Sequence, residues 1–123
     1  MGRINWTLYR VIKAYSNYEV SIHGLVRNRK TKRILKPFIA GGGYAMVTLC
    51  KNGVPADYFV HRLVAEAFLD SIGLREINHK DEVKINNYYR NLEYCTHKYN
   101  CNYGTAQQRR NATRERNRRA AHV

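Results

Sequence analysis

Residues 75–100 read REINHKDEVKINNYYRNLEYCTHKYN. Apolar residues thin out here and asparagine, histidine and tyrosine take their place. Glu76 to Asn78 has the look of a short strand, a polar loop then runs through Asn86 and Asn87, and Leu92 to Cys95 makes a second strand. Thr96 is a good N-cap for a helix through Asn100. If the two strands pair and the helix packs on them, His79 leaves the first strand, Asn91 precedes the second, and Asn100 lies one turn inside the helix. All three could then converge on one cleft.

An imidazole with an ordinary pKa of about 6.5 can take a proton from water near neutrality. To cleave a phosphodiester it needs a fixed orientation and a positive charge against the crowded phosphorane, which an amide or carbonyl and a divalent cation can supply. The side chains near His79 are oxygen donors, chiefly Asn78, Asp81 and Asn100. Such donors suit Mg²⁺, Mn²⁺ or Ca²⁺ rather than structural Zn²⁺. Two amides without a carboxylate make a weak site, tolerable when a nucleic-acid phosphate completes the shell. Cys95, His97 and Cys101 lack a fourth ligand and finger spacing, so zinc is not expected, and Cys95 reads as a small core residue.

Upstream, FVHRLVAEAFLDSIG switches to helical period: Val60, Leu63, Val64, Ala67 and Phe68 form one stripe, with Arg62 and Glu66 off it. His61, at the helix start, reads as structural and hydrogen-bonded there, with a phosphate contact as the alternative. Before it, strands are expected at Tyr18 to Ser21, Leu25 to Asn28, near Ile34, over YAMVTLC and around Tyr58 to Val60, with Asn52-Gly53 as a hairpin turn. The glycines at 41–43 match no phosphate-binding pattern and read as a flexible lead into a strand.

The chain has 123 residues, enough for one domain of ordinary size. Its net charge of +13 exceeds what solubility requires and points to a polyanionic partner, most simply nucleic acid. Arg27, Arg29, Lys30, Lys32 and Arg33 cluster on one basic turn, and Arg109, Arg110, Arg114, Arg116, Arg118 and Arg119 crowd the last segment. Both groups are read as phosphate contacts, the second as a helix or tail laid along the partner. That segment lacks the apolar face of a membrane-surface helix, and no apolar run approaches a membrane span. Three cysteines without CxxC spacing demand no oxidising compartment. The protein therefore reads as soluble and unexported.

Five pieces in series resemble the HNH endonuclease motif, the ββα-metal or His-Me finger. They are VHRLVAEAF at 60–68, NH at 78–79, NN at 86–87, NLEYCT at 91–96 and Asn100. The likeness is to the bacteriophage and intron-encoded homing subgroup. The upstream YEVSIHGLVRNRK, ILKP and GGGYAMVTLCKNG are similar to the small module often found before such domains, so the resemblance covers roughly residues 4–103.

It implies an α+β fold: a small antiparallel β-rich N-terminal part (1–56), then a short amphipathic helix and ββα-metal finger (57–104), then a basic C-terminal helix or tail (105–123). It further implies His79 as general base, Asn91 as its orienting partner, and Asn78 with Asn100 as ligands of one Mg²⁺ or Mn²⁺. The activity implied is hydrolysis of double-stranded DNA, by nicking or double-strand cleavage, to 5′-phosphate and 3′-hydroxyl ends. The setting implied is the cytoplasm of a bacterial host with the gene carried by a phage; monomer and homodimer both stay open. Asn78 stands where many relatives have aspartate, and Glu82 where they place a turn glycine. Asp81 is then expected to hold the loop. A catalytically impaired nucleic-acid-binding module is the alternative.

Overall fold

Asn52-Gly53 sets the hairpin of the second sheet. Both residues take the left-handed conformation, with φ of 54° and 78°, the pair that a two-residue type I′ turn requires. In this computed structural model, which describes residues 8–104, the turn joins β5 (Ala45–Lys51) to β6 (Val54–Phe59) in antiparallel register from Lys51↔Val54 to Met46↔Phe59. Along β5, Ala45, Val47 and Leu49 are buried while Thr48 faces out and donates to Asp57 across the pair at 2.6 Å. That period of two is the signature of a half-buried strand.

The short β4 (Phe38–Ile39) pairs with the other side of β5. Gly42 and Gly43, at φ 91° and 88°, close the loop between them, so the glycine run makes a turn that other residues would strain. A separate antiparallel sheet holds β1 (Tyr9–Ile12), β2 (Tyr15–Ser21) and β3 (Val26–Asn28) in that order. The strand expected near Ile34 reduces to one bridge with Arg27. Pro37 follows three residues on, and proline can neither donate to a ladder nor let its predecessor bend freely.

The strand expected around Tyr58 to Val60 begins earlier, at Val54, and does not reach Val60. It ends at Phe59, and the same chain direction passes without a loop into α1 (Val60–Phe68). One face of α1 buries Val60, Leu63, Val64 and Ala65. These join Val20 and Val26 of the first sheet, Val47 and Leu49 of the second, and Ile77 and Leu92 of the third in one core.

The third sheet is the pair β7 (Glu76–His79) and β8 (Leu92–Cys95), registered Glu76↔Cys95 through His79↔Leu92. A 3-10 turn at Tyr89–Asn91 leads into β8, and α2 (His97–Asn102) leaves it. Thr96 caps α2 as expected, its hydroxyl accepting from the Tyr99 amide at 3.1 Å. Two strands and a helix in this order make the ββα finger of an α+β fold. The basic C-terminal arginines Arg109 to Arg119 lie outside the described residues.

Candidate active site

Alternation along β7 separates the two key residues. Ile77 and His79 face α1 and the core, whereas Glu76 and Asn78 face the opposite side, where α2 packs. The end of the strand, α2 and Tyr44 from the second sheet together wall a cleft of about 360 Å³ that Glu76, Asn78, His79, Lys84 and Asn100 line. His79, Asn78 and Asn100 are thus brought to one place.

The His79 ring is buried, at 5% exposure, and its Nε2 lies 2.9 Å from Asn87 Oδ1. A carbonyl oxygen can only accept, so Nε2 carries the proton and Nδ1 keeps the lone pair. Tyr44 and His61 pack on the ring at 5.8 and 5.1 Å between centroids. Burial pushes the imidazole below its usual pKa, with the Asn87 bond and nearby Asp81 pulling the other way. The neutral, proton-accepting form is therefore favoured at pH 7.

Asn87 had no role assigned from sequence, although the NN pair was visible there. Asn91 lies one step further back. Its Nδ2 donates to Asp81 Oδ1 and to the Asn86 carbonyl, both at 2.9 Å, and its main-chain oxygen accepts from the Lys80 amide at 2.7 Å. Asp81 also accepts from the Val83 amide and the Asn86 side chain, and these bonds hold its carboxyl below the usual range. The Asn86 bond acts most strongly. Asp81 is thus the knot of the loop. Glu82 takes φ 63°, the conformation for which a glycine is suited at this turn.

His61 is also buried, but the hydrogen bond expected at the helix start is missing: its Nδ1 has no partner among the described residues. Its ring instead packs against Tyr44, Phe59 and His79. Burial first, then His79 and Arg62, lowers its pKa to about 4.

Asn78 Nδ2 donates to Glu93 Oε2 at 2.7 Å, and Asn100 Nδ2 donates to Glu76 Oε1 at 3.1 Å. A carboxylate has no proton to give, so in both amides the nitrogen end must face the acid. Each Oδ1 is thereby turned away from its acid and left as an acceptor. Among the described residues no three His, Cys, Asp or Glu side chains form a metal cage. A hard cation would instead find oxygen donors, the chemistry that Mg²⁺ or Mn²⁺ takes. The donor set fits such an ion.

Of the basic turn, Arg29, Lys30, Lys32 and Arg33 are exposed. Arg27 is half-buried, its guanidinium bonded to Glu19 and lying 3.5 Å from the centroid of the Tyr9 ring. A contact inside the fold thus occupies it.

No family model matches the chain. Curated relatives do. The mimivirus protein named Uncharacterized HNH endonuclease L245 is 39% identical over 98 residues, 79% of this chain and 29% of its own length. The DNA endonuclease I-HmuI of Bacillus phage SP01 is 38% identical over 96 residues, 75% of this chain and 54% of its own. The SPbeta prophage-derived putative HNH homing endonuclease YosQ of Bacillus subtilis is 43% identical over 81 residues, 63% of this chain and 46% of its own. This chain spans about half the length of these relatives or less. A solved structure of DNA binding and cleavage by the HNH homing endonuclease I-HmuI superposes with a TM-score of 0.73 at 36% identity, covering 82% of this chain and 59% of that one.

Proposed function

Because the chain belongs to the HNH, or His-Me finger, endonuclease family, we propose that it is a divalent-metal-dependent DNA endonuclease with His79 as its general base. The observation that carries this is the His79 ring itself: buried, kept neutral, and bonded through Nε2 to Asn87 so that Nδ1 is the free base. Nδ1 accepts a proton from water as that water attacks the scissile phosphorus, the P–O3′ bond breaks, and the departing 3′ oxygen takes a proton from solvent, leaving 5′-phosphate and 3′-hydroxyl ends. Asn87 fixes the ring. Asn91 orients it from one step back, by holding Asp81 and the Lys80 amide immediately after the histidine.

Asn78 and Asn100 are the side chains that would hold the cation, whose charge would offset that of the phosphorane and of the leaving 3′ oxygen. The exposed Arg29, Lys30, Lys32 and Arg33, with the C-terminal arginines, would grip phosphates of double-stranded DNA. Relatives named for DNA cleavage and for homing support this reading.

Supercoiled plasmid incubated with Mg²⁺ or Mn²⁺ tests it. Wild type should nick, and His79→Ala should be slower by about 10²-fold or more, the usual worth of a general base. Equal nicking by both removes His79 from the role. Metal-independent, salt-sensitive binding without cleavage would favour the impaired binding module, a reading that rests on Asn78 standing where a carboxylate is usual.

A further inference from the structure

Two neutral amides bring no charge to a divalent cation, yet hard cations are held mainly by carboxylates. The cleft contains one in the right place. Glu76 is two residues before Asn78 on β7, on the same face of the strand, and accepts from Asn100 across the gap to α2. We propose that Glu76 supplies the negative charge of the cation site, acting on the ion beside the amide oxygens of Asn78 and Asn100. The proposal rests on the cation-dependent reading above.

Four observations converge on this residue. Glu76, Asn78 and Asn100 line the same cleft as His79. The Glu76 side chain keeps 37% of its surface open, so the carboxylate is reachable from solvent. Its bond to Asn100 fixes which end of that amide is nitrogen, while Glu93, paired opposite Asn78 in the ladder, does the same for the other. Finally, Glu76 Oε2 also meets His97 Nδ1 at 2.6 Å, so the carboxylate is already oriented by two donors from α2. Carboxylates oriented in this manner around a metal are commonly worth 10- to 100-fold, that is roughly one to two decades, in affinity.

The test is Mn²⁺ binding, read from the free-ion EPR signal and by calorimetry. It uses the full chain in a His79→Ala background, alone and with a duplex that then stays uncut. Glu76→Gln should weaken Mn²⁺ at least about tenfold, whereas Glu76→Asp should retain most of the affinity. Glu82→Gln, which alters the other acid lining the cleft, should leave it unchanged. His97→Gln, which alters one of the two donors that orient this carboxylate but keeps its charge and serves if Glu76→Gln does not fold, should weaken it by less than about tenfold.

Unchanged affinity in Glu76→Gln overturns the proposal, as does a tenfold fall in His97→Gln or a loss that tracks Glu82 instead. If the reference chain shows no saturable Mn²⁺ binding with or without DNA, the cation reading falls and takes the proposal with it. That outcome is distinct from one in which the reference binds and Glu76 proves irrelevant.

Discussion

His61 and His79 touch ring to ring, and burial lowers the pKa of both, so the pair is a pH-dependent element of stability as well as of the site. The neutral form of His61 fits the aromatic packing of Tyr44 and Phe59, with Arg62 adding repulsion against its charged form. The unfolded chain protonates near pH 6.5, the folded one near 4. Stability is therefore intact above about pH 6.5 and drains as pH falls from there through 4, by about 3 kcal/mol in all for His61 at 1.36 kcal/mol per unit. Thermal unfolding followed between pH 7 and 4 should show this slope, and His61→Phe should flatten it. An undiminished slope in that variant would assign the effect elsewhere. At this scale residue type singled out candidates, His79 with Asn78 and Asn100, and the fold brings the three to one cleft. The sequence was silent where geometry decides which of several asparagines is near: Asn86, Asn87 and Asn91 are chemically identical, and only the folded loop gives Asn87 to the ring and Asn91 to Asp81.

Elements with strong local signals came through from sequence. The α1 stripe, the Asn52-Gly53 hairpin, the two finger strands and the Thr96 cap each rest on neighbours within a few residues. Weaker was everything set by contacts between distant segments. The turn from β2 into β3 is one such place: its Ile22 carbonyl accepts from the Tyr89 amide at 2.8 Å, His23 stacks on Tyr88, and Gly24, at φ 86°, lies so near Asn87 that an added Cβ would fall 2.9 Å from Asn87 Cβ. Nothing in the hairpin's own sequence says that it abuts the residue bonded to His79. Gly24→Ala should therefore act twice. The left-handed backbone costs about 1 kcal/mol, visible in the unfolding midpoint, and displacement of Asn87 should slow plasmid nicking by more than that loss of stability explains. Conversely, Gly53→Ala, whose added Cβ meets nothing, should bring the first effect without the second.

Across the whole molecule the dominant quantity is charge. With a net +13 on 123 residues, the proposed DNA binding should be driven by counterion release and fall about 10³-fold or more between 50 and 200 mM salt if six or more phosphates are contacted. Removing residues 105–123, with their six arginines named above, should flatten the plot of log K against log salt, and an unaltered slope would take the tail off the DNA. No helix among the described residues is long and apolar enough to cross a membrane. Overall charge was readable from the first line of the sequence; how the parts share a core was not, since Val20, Val47, Val64 and Leu92 come from four separate elements.

That shared core bears on how such a chain can be recombined. β6 crosses residue 56 and runs straight into α1, and the strands before it share one core with the finger. A chimera that takes its first three strands from one relative and its polar loop from another would have to inherit positions 24 and 87 together, a glycine with the asparagine it makes room for. The pair travels as one unit, and a graft that splits it starts with the His79 ring already out of line.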